Sequence, residues 1–209
     1  MANKHNTDMN FVELCNQIFS TAVQDYHKTD NVDAPIHNPY AAGTIEHDLY
    51  LKNWIDTVQW HLEDIIRDPQ IDPVEALALK RRIDRSNQER TDLVERIDSY
   101  FWEQYHNITP HSDAKINTES PAWAIDRLSI LHVKIYHMQE QVNRTDVSAE
   151  QHDKCVQKLA VLREQLQDMT TSISQLLSDY ASGARIMKVY RQMKMYNDPT
   201  LNPVLYGKK

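Results

Sequence analysis

Apolar residues recur along most of this chain at steps of three and four, the spacing that puts them on one face of a helix. Phe11, Cys15, Ile18 and Ala22, joined by Leu14, Phe19 and Val23, predict a first helix over about 8–29. Thr44 can cap a second over about 45–67, striped by Leu51, Trp54/Ile55, Val58, Leu62 and Ile65. Asp72, Pro73 and Glu75 form the clearest helix start in the chain, with a cap, a proline at the first position and a carboxylate three residues after the cap. That third helix runs to about 105. Ser120–Pro121 opens a fourth, to about 143, along Leu128, Leu131, Ile135, Met138 and Val142. Ser148 caps a fifth, whose stripe runs unbroken through Leu159, Leu162, Leu166, Met169, Ile173, Leu176 and Tyr180 until Gly183 ends it. The third and fifth helices would each be roughly 50 Å long. A short basic helix over 185–196 precedes the tail "NDPTLNP". No strand-like alternation and no repeat is present. The fold class predicted is all-α: an antiparallel bundle of about five long helices plus a short C-terminal helix. The expected division is a bundle over 1–184 and a docked basic helix and tail over 185–209. The sustained heptad stripe can also serve as a homodimer seam.

Two residues break the pattern. The stripe of the third helix reads Leu79, Ile83, Asn87, Arg90, Val94, Ile97, Phe101, so an amide and a permanent cation occupy the middle of a core face. A buried guanidinium without a partner costs several kcal/mol, so Arg90 must be paired or wet. A hairpin turning near residue 70 sets Asn87 opposite Trp54, beside Asn53, and Arg90 opposite Leu51. On the fourth helix Arg127 and Lys134 flank the stripe, with Asp126 one step outside. One reading is structural, with Arg90 held by Glu46 or Asp126. The other is a pocket where Asn87, Arg90, Arg127 and Lys134 converge on an anion, since guanidinium and ammonium groups suit phosphate or carboxylate. Trp54 and Tyr50 would then form its wall.

Composition changes this picture in a few places. The 209 residues carry a formal net charge of −7, against general affinity for nucleic acid. The charge is uneven: Arg185, Lys188, Arg191, Lys194, Lys208 and Lys209 against Asp198 make the last stretch basic and leave the rest acidic. That basic amphipathic helix offers a surface to a protein partner. Three glycines exclude Gly-rich phosphate loops, and Cys15 and Cys155, both on apolar stripes, read as reduced core residues. No leader or transmembrane segment is visible, and a cytoplasmic protein is expected.

The candidate chemistry is sparse. "WHLED" and "DLVERID" suggest carboxylates gathered for a divalent cation, yet the hairpin register separates Asp64 from Asp92 by roughly 22 Å. The sole Glu-x-x-His pair, Glu103 and His106, lies away from the stripe, so no di-iron site forms. No metal site and no cofactor are therefore expected. His61, with Asp64 one turn on, is the candidate general base.

Four phrases, "NWIDTVQWHLEDIIRDP", "IDRSNQERTDLVERID", "ESPAWAIDRLSILHVKIYHM" and "RQMKMYNDPTLNPVLY", occur here in that order. They resemble the uncharacterised bacterial family called domain of unknown function 4254, from about residue 40 to the end. The resemblance implies a cytoplasmic helical protein associated with glycosyltransferases of cell-envelope polysaccharide synthesis. "DRLSIL" is also similar to phrases of other sugar-pathway proteins, which adds weight to Asp126, Arg127 and Lys134. The function expected is a non-catalytic binding or accessory protein for an anionic, phosphate-bearing or sugar-linked small molecule or for a pathway enzyme. The alternative is an enzyme acting on a phosphorylated small molecule through His61 and Asp64.

Overall fold

The structure, a computed structural model, describes residues 10–195 and 198–207. The helices are α1 (Phe11–Tyr26), α2 (Ile45–Ile65), α3 (Pro73–Tyr105), α4 (Pro121–Asn143), α5 (Ala149–Ser182) and α6 (Pro203–Tyr206). Thr44, Asp72, Ser120 and Ser148 each cap the helix that follows, their side-chain oxygens accepting from first-turn N–H groups as the sequence predicts. Asn10 caps α1, accepting from the Val12 N–H while its own N–H donates to the Glu13 carboxylate; the expected start near residue 8 lies outside the described residues. Among the described residues there is no β-strand, only an isolated bridge between Lys115 and Arg185.

Helix direction follows from which residues meet. The contacts Asp56–Arg90 and Asp48–Arg96 make α2 and α3 antiparallel. The contacts Lys52–Asp126 and Trp60–His137 make α2 and α4 parallel. Phe11 meets Phe101 at one end of α1, and Tyr26 meets Trp54 and His61 at the other, so α1 also runs with α2. The segment 27–44 therefore travels back along the bundle before α2 begins. Its return is pinned by Arg82 on Asp33 and Val32, and by Asn38 on the His47 carbonyl. The C-terminal ends of α1, α2 and α4 consequently lie at one pole of the molecule. Cys15, Ile18 and Phe19 of α1, Leu49 and Trp54 of α2, Val94, Ile97 and Phe101 of α3, Ile125 and Leu128 of α4 and Ile173 of α5 share one core.

Three expectations are corrected. The α2 stripe is not the most buried face of that helix. Trp54 and Leu62 of the stripe are buried, but Ile65 is exposed and Leu51, Ile55 and Val58 are half-buried, whereas Lys52, Asn53, Asp56 and Thr57 are buried. A helix enclosed by α1, α3 and α4 buries its polar side too, once those groups find partners. The register of the α2–α3 hairpin is displaced by about five residues, since Arg90 meets Asp56 and Asn87 meets Gln59. The first turns of α3 overhang the end of α2, leaving Val74 and Leu77 exposed.

The third correction concerns the basic segment. Residues 185–195 form no helix, and the short C-terminal helix is α6. The chain leaves α5 through Gly183 at φ +81°, where a Cβ would stand 2.7 Å from the Thr109 carbonyl. It then runs antiparallel along α3, with polarity opposite to an apolar-face-in helix. Arg191 donates to the Glu95 carbonyl at 2.8 Å and to Ser99 Oγ at 3.0 Å, and Lys194 donates to Thr91 Oγ1 at 2.6 Å. Tyr190, Met193 and Met195 are exposed. The cations seek the acidic and hydroxyl-bearing flank of α3, and the positive φ of Met193 (48°) turns the chain between Arg191 and Lys194, so that both reach that flank while Tyr190 and Met193 stay exposed. Asn197, at the start of the "NDPTLNP" phrase, lies outside the described residues; from Asp198 on the phrase is a turn, with Leu201 N–H donating to the Asp198 carbonyl at 3.1 Å.

His132 ties α1, α4 and α5. Its Nε2 lies 3.0 Å from Asn16 Oδ1, and Asn16 Nδ2 donates to Thr170 Oγ1 at 2.9 Å. Burial pushes the imidazole down to about 4. A folded value below the ordinary one means that protonation favours the unfolded chain. The contribution is complete above about pH 6.5 and is lost as pH falls towards 4, to a limit of about 3 kcal/mol. Urea unfolding of the native chain and of His132→Gln across this range should show a steeper acid loss in the native chain; parallel curves would refute the assignment.

Candidate functional site

The polar face of α2 makes the central contact of the molecule. Lys52 and Asp56, four residues apart, point towards α4, where Asp126 and Ser129 lie on matching turns. Lys52 Nζ binds Asp56 and, at 2.8 Å, Asp126 Oδ1. Arg90 enters from α3: Nε is 2.9 Å from Asp56 Oδ1, and Nη2 donates to both oxygens of Asp126 at 2.9 and 2.8 Å. Ser129 Oγ donates to Asp56 Oδ2 at 2.6 Å, and Asn53 Nδ2 donates to the Ser129 carbonyl at 3.1 Å. Two cations and two carboxylates thus cancel inside the bundle. Burial works against the Arg90 charge, but Asp56 and then Asp126 outweigh it and hold the guanidinium above its ordinary pKa. Lys52 is fully buried, whereas 24% of the Arg90 side chain reaches solvent.

That opening is a cleft of ≈ 340 Å³ lined by Gln59, Trp60, Glu63, Asp64, Arg67 and Arg90. On the other side of Trp60 lies a second hollow, of ≈ 490 Å³, lined by Asp64, Lys134, His137, Met138, Gln141 and Leu162. Trp60 and Asp64 belong to both, so the two make one groove along α2 and α4 with an aromatic ring in the middle. Glu63 pairs with Arg67 at 3.4 Å.

The pole where α1, α2 and α4 end carries three imidazoles. The ligating nitrogens of His27, His61 and His137 all lie within 4.8 Å of one another, and each residue is half-buried. His27 Nδ1 is 2.6 Å from the Val23 carbonyl, and His137 Nδ1 is 2.8 Å from Glu140 Oε2. His27 Nε2 and His61 Nε2 are 3.2 Å apart. Tyr136 stacks on His27, Tyr26 on His61 and Trp60 on His137. Burial, followed by the His137 and His27 rings, lowers the His61 pKa.

The expected ligand residues do not assemble as one pocket. Arg90 and Asp126 meet, with Asn53 in the same network. Arg127 is exposed, is paired with Glu119 and lines neither hollow. Lys134 lines the second hollow and Arg90 the first. Trp54 and Tyr50 are core residues, 8% and 1% exposed, and cannot form a wall; Trp60 takes that place. Asn87 accepts from Gln59 and lines a separate recess with Arg90, Trp123 and Lys194. Glu46, one expected partner of Arg90, is replaced by Asp56, a consequence of the displaced register. His61 turns its Nε2 to His27, not to Asp64. Sequence reasoning missed Lys52, Asp56 and Ser129 because a Lys/Asp pair at four-residue spacing ordinarily belongs to a solvated helix face. It missed His27 and His137 because they have no spacing relation to each other and meet only in space; the sole signal was their aromatic neighbours in "DYH" and "IYH".

This architecture defines an all-α bundle centred on a neutral buried charge cluster, with a polar groove beside it. The chain belongs to the family described as protein of unknown function (DUF4254), whose sequence model matches residues 46–189. All four charged residues of the cluster lie within the match, whereas α1, which supplies His27, precedes it. No curated protein and no solved structure matches the chain.

Arg90→Met preserves most of the side-chain volume and leaves Lys52 alone with two buried carboxylates. Its unfolding free energy should fall by about 3 kcal/mol, read from urea midpoints. An unchanged midpoint would show that the cluster does not depend on the guanidinium.

Proposed function

We propose that this protein is a non-catalytic binding protein for a small, sugar-linked molecule bearing an anionic group, and that the ligand lies in the groove between α2 and α4. The observation that carries the reading is the joined pair of hollows around Trp60, with Arg67 and Arg90 lining one and Lys134 the other. Their volumes fall in the range of small-molecule pockets, and mixed apolar and polar linings are typical of such sites. Trp60 offers an aromatic surface to the C–H face of a sugar. Gln59, Asp64 and Gln141 offer acceptors and donors for hydroxyls. Arg90 is held by two carboxylates, so its orientation costs little further ordering when it meets a phosphate. Asp64 and Glu63 oppose a simple anion, which favours a ligand that joins hydroxyls to its charge over inorganic phosphate. Nor does the groove contain the His61–Asp64 acid–base pair, since His61 faces the other imidazoles. A cytoplasmic place beside enzymes of cell-envelope polysaccharide synthesis belongs to this same reading, as does attachment of an acidic partner protein at the basic segment. No described helix is long and apolar enough to cross a membrane.

Calorimetric titration with a panel of nucleotide sugars, sugar 1-phosphates, free sugars and inorganic phosphate tests it. Saturable binding of a phosphorylated sugar, weakened about tenfold (about 1.4 kcal/mol) by Trp60→Ala and by Lys134→Ala, is the expected result. Absence of saturable binding across the panel, or binding indifferent to both substitutions, would overturn it.

A further inference from the structure

The three imidazoles at the C-terminal pole are arranged as ligands. The Val23 carbonyl can only accept, so the proton on neutral His27 sits on Nδ1 and Nε2 presents a lone pair. Glu140 imposes the same tautomer on His137. Its Nε2 is buried and has no hydrogen-bond partner among the described residues. Ring stacking accounts for the faces of these residues but not for that nitrogen. If His61 donates to His27, as their 3.2 Å separation allows, the His137 lone pair remains buried and unpaired, at the desolvation cost such a group carries.

We infer that His27, His61 and His137 bind one divalent transition-metal ion, zinc by preference, through their Nε2 atoms. Neutral imidazoles suit zinc, copper, nickel and cobalt, not magnesium or calcium. Zinc with ligand bonds of about 2.0–2.1 Å in tetrahedral geometry sets its nitrogens about 3.3 Å apart. The His27–His61 pair already has that spacing. A ring nitrogen of His137 lies within 4.8 Å of a nitrogen of each of the other two, so the third ligand has to close by about 1.5 Å from that limit. The outer contacts also fit, because a ligating histidine commonly gives its other N–H to a carboxylate or a backbone carbonyl. His27 and His137 have one of each.

The surroundings favour positive charge. His27 caps the C-terminus of α1 and His61 lies in the last turn and a half of α2, so both helix ends turn their negative poles to the site. Asp30 follows in the left-handed turn that ends α1, at φ 50°, with its N–H on the Tyr26 carbonyl. That turn places Asp30 Oδ1 3.9 Å from both His27 Nε2 and His61 Nε2. The carboxylate stands where a fourth ligand, or the partner of a metal-bound water, belongs. The site draws one ligand from each of three helices, and none of them is part of the charge cluster or of the Arg90 cleft. It does not rest on the reading of the groove, which it touches through His137 alone.

The test uses the full chain without an affinity tag, stripped with a chelator and dialysed against zinc chloride, with metal content measured after gel filtration. One zinc per chain is expected. Cobalt in its place should give the intense visible bands of a four-coordinate ion. His61→Ala should abolish stoichiometric uptake, and Glu140→Ala, at an exposed position, should weaken it by about 10–100-fold with unchanged circular dichroism. Long-range proton–nitrogen spectra of the unsubstituted chain provide a readout independent of any variant. Zinc should shift the Nε2 resonances of all three rings, with His27 and His137 staying protonated at Nδ1 and the His61 proton moving from Nε2 to Nδ1. Uptake below about a tenth of an equivalent, or equal uptake by His61→Ala, would overturn the inference; so would Nε2 resonances that do not move with zinc.

Discussion

The bundle depends on one buried electrostatic cluster. Lys52, Asp56, Arg90 and Asp126 come from three helices, and each carboxylate touches both cations. A cluster of this kind is a poor source of net stability, because desolvating four charges consumes most of what their attraction returns. Its effect is on geometry. An apolar seam tolerates sliding by a turn. Here such a shift would leave several charges unpaired, each at a cost of several kcal/mol. The displaced α2–α3 register follows from this constraint: Arg90 can be satisfied only where Asp56 and Asp126 stand together.

The same constraint shapes the groove beside it. α2 and α4 run parallel and are joined through Ser129, Asn53 and the cluster, so the groove between them has stiff walls. Trp60 closes the turn above Asp56 and leans on His137. The charge cluster, the aromatic ring and the imidazole pole thus form a continuous line along α2. A ligand in the groove and an ion at the pole would meet on opposite sides of one indole–imidazole stack.

The basic segment shows how net charge and local pattern can disagree. Its helical spacing of Ile186, Val189, Tyr190 and Met193 is real, but no helix forms, because the acidic and hydroxyl-bearing flank of α3 offers Arg191 and Lys194 partners that an irregular chain, turned at Met193, reaches better. The apolar residues displaced outward, Tyr190, Met193 and Met195, are the consequence.

The helices and their caps were legible in the amino-acid sequence, since spacing of apolar residues and capping side chains act within a few residues of each other. So was the anomaly at Arg90, because a cation within an apolar stripe is visible without any partner. Its need of a carboxylate followed from desolvation alone, and Asp126 was among those foreseen. Which second carboxylate it would meet was not legible, because that depended on a register set by all three helices at once. Lys52 and Asp56 looked like a surface pair because nothing local distinguishes a helix with one neighbour from a helix with three. His27, His61 and His137 are separated by 34 and 76 positions along the chain. They meet only because α1, α2 and α4 run in the same direction, which the long return of residues 27–44 permits and only tertiary packing decides.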